Sequence, residues 1–129
     1  MSILGLRLEC TGGDGIEFHV SERVSVTDVV VDRAFRNGIS AVGVVQMLVV
    51  NSTFANTFGT SPGAGVDIEP AGGPVSHRAA YEDEIGIVFR GCHFPRNFGP
   101  GISLAMSHLT NTSDEISILF ENCTVIGES

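Results

Sequence analysis

The sequence predicts an all-β solenoid, a single coil of stacked short strands, on three observations. Four segments of the chain superimpose without a gap, apolar residues alternate with period two inside each, and Gly, Asn and Asp recur between them at matching offsets. The segments are Val24-Ser25-Val26-Thr27-Asp28-Val29-Val30-Val31, Met47-Leu48-Val49-Val50-Asn51-Ser52-Thr53-Phe54, Ile87-Val88-Phe89-Arg90-Gly91-Cys92-His93-Phe94 and Ile118-Leu119-Phe120-Glu121-Asn122-Cys123-Thr124-Val125. Phe35, Phe58 and Phe98 follow the first three at one offset. A Gly-Ile or Gly-Val pair comes shortly after, at Gly38, Gly65 and Gly101, and Gly15-Ile16 precedes the first segment.

In chain order, each rung opens with a short strand at its Gly-Ile pair. Alternate residues of a strand face one side, so Ile16, Ile39, Val66 and Ile102 form one inward column and Phe18, Ala41, Ile68 and Leu104 another. A connection leads to the second strand, with columns Val24, Met47, Ile87, Ile118 and Val26, Val49, Phe89, Phe120. A tight turn follows at Asp28, Asn51, Gly91 and Asn122, residue types that take left-handed backbone at low cost. A third short strand and a return complete the rung. Val29, Ser52, Cys92 and Cys123 stack inward beside the turn, where the cysteines read as packed thiols rather than a redox pair or metal ligands. The runs are short, β-branched and punctuated by Gly, Asn and Pro, which favours strand over helix throughout.

The successive Gly15, Gly38, Gly65 and Gly101 stand 23, 27 and 36 residues apart, and the growth comes from insertions at 60–64 and 71–84. A further insertion, 106–115, lengthens the last rung. Gly5-Leu6-Arg7-Leu8 supplies only the turn and third strand of a preceding rung, giving four rungs and a fraction.

Composition agrees with one folded domain over residues 1–129, since 43% hydrophobic and 17% charged residues fit a packed core and not a disordered chain. The net charge is −8, with seven Arg and no Lys, which argues against nucleic acid and anionic membranes as partners. The longest apolar stretch, 41–50, is broken by Gly43 and Gln46 and falls short of the roughly 20 residues of a membrane helix. No signal peptide is visible at the start, and the reading is of a soluble chain of unassigned compartment. Three cysteines without CxxC or Cys/His spacing point to neither a disulfide framework nor a structural metal.

The repeat resembles that of the right-handed parallel β-helix proteins of the pectate-lyase-like superfamily, a Gly-Ile strand followed by a hydrophobic-x-Asn-polar/Cys-x-hydrophobic turn. Ile39, Val49-Val50-Asn51-Ser52-Thr53-Phe54 and Phe120-Glu121-Asn122-Cys123-Thr124-Val125 are the clearest matches, and the resemblance covers residues 4–127. It implies a single-stranded right-handed parallel β-helix and a carbohydrate-active role, as polysaccharide lyase or glycoside hydrolase, with the substrate lying along the Gly-Ile sheet. Of the polygalacturonase motifs only Asp14-Gly15 has a counterpart, and the calcium ligands and Arg or Lys base of pectate lyases do not map. No cofactor is therefore assigned, and the acidic run Glu82-Asp83-Glu84 reads as a solvated loop rather than a calcium site.

Two outward columns on the Gly-Ile strands are the candidate site: Glu17, Ser40, Asp67, Ser103 and His19, Val42, Glu69, Ala105. Asp67 and Glu69, two apart on one strand, are about 7 Å apart along the backbone. That separation falls within the roughly 6.5–9.5 Å of an inverting glycosidase pair. They are the expected catalytic acid and base. Glu17 and His19, two rungs away, and Arg78 and Tyr81, in the 71–84 insertion, are the expected substrate contacts, Arg78 for a uronate carboxylate and Tyr81 for a sugar ring. A plainer reading makes the same Asp, Glu and Ser a solvated outer face on a noncatalytic module.

No capping helix is evident at either end. The chain therefore reads as a truncated part of a longer solenoid that covers its exposed end rungs by self-association, most simply about a twofold axis.

Overall fold

The computed structural model describes residues 1–69, 86–105 and 118–126. Among the described residues all regular structure is strand, in two parallel sheets. One sheet contains β1 (Ser2–Leu4), β3 (Ile16–Thr27), β5 (Ile39–Val50), β7 (Val66–Glu69), β8 (Ile87–Arg90), β10 (Ile102–Leu104) and β11 (Ile118–Glu121). The other stacks β2 (Arg7–Glu9), β4 (Val30–Asp32), β6 (Thr53–Ala55), β9 (His93–Pro95) and β12 (Thr124–Ile126) in chain order. Each repeat thus visits both sheets and pairs in parallel with the repeats before and after it, an arrangement compatible with a β-helix.

The register is the one the repeat predicts. Ile16 pairs with Ile39, Ile39 with Val66 and Val66 with Ile102, while Val26, Val49, Phe89 and Phe120 align through the second strands. One expectation needs correction. In the first two repeats the Gly-Ile strand and the second strand are not separate elements but halves of the 12-residue β3 and β5. Left-handed residues inside these strands, Val20 (φ 53°) and Arg23 (φ 54°) in β3 and Gly43 (φ 65°) and Gln46 (φ 62°) in β5, turn the backbone together. The bends are in step, so Ser21 still pairs with Val44 and Glu22 with Val45. In the third repeat the two halves are distinct, β7 and β8, and both pair with β5.

The Gly-Ile motif has a steric cause. Ile16, Ile39 and Val66 donate their N–H groups to the carbonyl oxygens of Gly38, Gly65 and Gly101 at 3.1, 3.0 and 2.9 Å. A Cβ on Gly15, Gly38 or Gly65 would stand only 2.6, 2.6 or 2.7 Å from that same oxygen of the next repeat. Stacking of one repeat on the next therefore demands glycine there for close approach. The turn column has a conformational cause instead: Gly5, Asp28, Asn51, Gly91 and Asn122 all have φ between 50° and 65°.

Apolar columns fill the interior. Phe54, Phe89 and Phe94 are fully buried, with Phe54 stacked on Phe94 at 5.8 Å and Phe89 on Phe120 at 4.9 Å. Cys92 is buried in its predicted stack, its thiol directed at the Val49 carbonyl at 3.5 Å, and burial pushes its pKa up to about 11. It is a thiol and not a thiolate at neutral pH, which fits the packed-thiol reading. Two buried asparagines satisfy the returns: Asn37 accepts from Ala64 N–H at 2.9 Å, and Asn97 accepts from Thr57 N–H and donates to the Phe54 carbonyl at 3.2 and 3.0 Å.

Candidate functional site

Pairing of β3, β5, β7 and β10 aligns Glu17, Ser40, Asp67 and Ser103, and the neighbouring column aligns His19, Val42 and Glu69. Glu17 and His19 are exposed, as a solvated face requires. The middle of the column is not: Ser40 is 2% exposed and Asp67 only 3%. The solvated-face reading therefore fails at the residue on which most depends. Glu69, two positions along β7, is half-buried. Arg78 and Tyr81 lie outside the described residues, as does the Glu82-Asp83-Glu84 run.

Residues just ahead of the Gly-Ile pairs supply a polar network beside this column. Asp14 accepts the Asn37 N–H on one carboxylate oxygen at 3.0 Å and the Ser40 hydroxyl on the other at 2.8 Å. The Asn37 side-chain amide donates to the Ser40 oxygen at 3.1 Å, and an Arg36 guanidinium nitrogen stands 3.9 Å from Asp14. Sequence reasoning did not place Asp14, Arg36 or Asn37 here. The available signal is positional, since Asp14 and Asn37 each stand directly before the Gly of a Gly-Ile pair.

Removal from water pushes the Asp67 carboxyl up from its ordinary range. A hydrogen bond with the Ser103 side chain and the Arg36 charge pull it down, but burial outweighs them, and the Asp14 charge adds to the rise. A carboxyl that retains its proton more readily than an ordinary aspartate is chemically suited to donate it.

The same shift has a consequence for stability. A folded-state pKa above the unfolded one stabilises the protein fully below the unfolded pKa, and that contribution is lost as pH rises through the folded pKa. Asp67→Asn, neutral at every pH, should therefore gain stability relative to the parent between about pH 3 and about pH 7. Urea unfolding of both proteins at the two pH values measures this, and an unchanged difference would remove the desolvated carboxyl from consideration.

Among the described residues, no group of three or more His, Cys, Asp or Glu is arranged to hold a metal ion, and no helix is long and apolar enough to cross a membrane. No protein-family model, curated protein or solved structure matches the chain.

Proposed function

We propose that the chain is a right-handed parallel β-helix of the pectate-lyase-like kind that binds or cleaves a polysaccharide on its Gly-Ile sheet. The observation that supports this above others is Asp67, a buried carboxyl with a raised pKa in an interior strand of that sheet, with Glu69 two residues along the same strand. This reading requires substrate to reach the Asp67 carboxyl, which is 3% exposed in the free chain; Asp67 then protonates the departing glycosidic oxygen, and Glu69 takes a proton from the water that attacks the anomeric carbon from the opposite side. Glu17 and His19 contact sugar units two strands away, and Arg78 and Tyr81 contact the chain from the insertion.

A reducing-end assay over neutral and acidic polysaccharides tests it, with a parallel ultraviolet assay for unsaturated lyase products. Asp67→Asn and Glu69→Gln should each lower hydrolysis by about a hundredfold or more. The parent's rate should fall as pH rises through the raised pKa of Asp67. Activity left intact in both variants, or no activity on any substrate, contradicts the assignment.

A second reading, a noncatalytic glycan-binding or structural module that self-associates through its outermost strands, draws on the exposure of Leu104, Leu119, Val125 and Ile126 on β10, β11 and β12. Light scattering that returned a stable monomer at micromolar concentration would count against it.

A further inference from the structure

The three phenylalanines that follow the third strands are not part of the core. Phe35, Phe58 and Phe98 are 41%, 54% and 58% exposed, although Phe54, Phe89 and Phe94 of the same repeats are fully buried. Phe58 and Phe98 follow β6 and β9, interior strands of the second sheet, so their exposure is not that of an outermost repeat. Backbone bonds hold the returns in a stack: Phe58 N–H donates to the Ala34 carbonyl at 3.2 Å and Phe98 N–H to the Thr57 carbonyl at 3.1 Å. The rings of Phe35 and Phe58 meet edge to face at 5.5 Å. Two of the rings are seated on bare backbone, since a Cβ on Gly59 would lie 2.2 Å from the Phe35 ring and one on Gly63 would lie 2.8 Å from the Phe98 ring. The result is an apolar ridge of three fixed aromatic rings.

Two residues before each ring stands a planar side chain, Arg33, Asn56 and Arg96, all on left-handed backbone with φ of 59°, 58° and 53°; Arg33 is ion-paired with Asp32 at 3.4 Å and Glu9 at 3.9 Å. Asn56 donates to Asp32 at 2.8 Å and accepts from Arg96 Nε at 3.1 Å, which fixes the amide and the guanidinium in line. Among the described residues Arg96 makes no ion pair. Its terminal nitrogens therefore remain as donors beside the ridge, in a chain that otherwise carries an excess of acid.

We propose that this ridge binds a neutral polysaccharide lying along the stack of repeats, on a surface separate from Asp67 and Glu69. The rings of Phe35 and Phe58, 5.5 Å apart, and that of Phe98 on the next stacked return follow the succession of repeats and fit a linear ligand. The rings suit the apolar C–H faces of sugars, and the terminal nitrogens of Arg96 suit a pair of their hydroxyls. The net charge of −8 opposes a polyanion as occupant.

Affinity electrophoresis of the full chain through native gels tests this. The gels would contain a panel of neutral glucans, mannans and galactans, with polygalacturonate as the acidic comparison. At least one neutral polymer should retard the protein, and raising NaCl from about 0.05 to about 0.5 M should leave the retardation unchanged. Phe58→Ser should weaken it about tenfold, and Arg96→Gln should weaken it as well. Leu48→Ser, at an exposed position of β5 that belongs to neither the ridge nor the Asp67 column, should leave it intact. Urea melts of the ridge variants confirm that they fold. The proposal is overturned by a blank panel, by retardation in polygalacturonate alone, or by retardation that survives both ridge substitutions. It is likewise overturned if Phe58→Ser abolishes a concentration-dependent dimer in sedimentation, which would make a second copy the occupant.

Discussion

Replacement of Phe89 by alanine is expected to cost about 3–5 kcal/mol of folding stability, the range for truncating a buried phenylalanine. The ring is completely buried, stacks on Phe120 at 4.9 Å with an interplanar angle of 17°, and touches Phe94 at 5.9 Å. Phe120 is fixed by parallel pairing of β11 with β8 and Phe94 by pairing of β9 with β6 and β12, so the space left by the ring cannot easily collapse. Truncation of Leu48, the exposed neighbour of Val49 on the opposite face of β5, is the control and should cost far less. Guanidinium unfolding with a matched m-value gives the comparison. A loss below about 1 kcal/mol at Phe89 would mean that the aromatic columns are not the interior of the stack.

Gly38→Ala should be nearly as damaging, by about 2–4 kcal/mol, although it adds a single methyl group. That methyl would meet the Gly65 carbonyl oxygen at 2.6 Å and the Phe54 Cβ at 2.7 Å. The same oxygen accepts the Ile39 N–H at 3.0 Å, so relief of the clash lengthens a buried backbone hydrogen bond between repeats. Gly12→Ala is the matched control, because nothing lies within 4 Å of a Cβ there and its φ is not left-handed. Equal melting temperatures for the two variants would contradict the close stacking of the Gly-Ile pairs.

Much of this architecture was legible in the sequence because parallel stacking places like residue on like. A strand's two-residue period then fixes which side chains face inward, as in the Ile16, Ile39, Val66 and Ile102 column. The turn at Asp28, Asn51 and Asn122 was legible because those residue types signal left-handed backbone. The bends within β3 and β5 were not, since Val20, Arg23 and Gln46 take the same conformation without belonging to types that favour it. Tertiary pairing, not local preference, sets them.

At the candidate site the sequence placed Asp67 and Glu69 together on one strand but gave Asp67 the wrong environment. Alternation places Asp67 on the face opposite the core residues Val66 and Ile68, and a polar residue there reads as solvated. Its burial, and the Asp14, Asn37 and Ser40 hydrogen-bond network beside it, join residues 26 positions apart that no local pattern connects. Arg78 and Tyr81 remain expectations of the sequence alone.

The most direct test follows the Asp67 carboxyl carbon by NMR across a pH titration, first with the free protein and then with oligosaccharides drawn from any polysaccharide it binds or cleaves. A proton-donating site on the Gly-Ile sheet requires a titration midpoint above the ordinary aspartate value of 3.8, and a further displacement of the midpoint when sugar is added. An ordinary midpoint, or a raised one that no sugar moves, would contradict a glycan site built around Asp67.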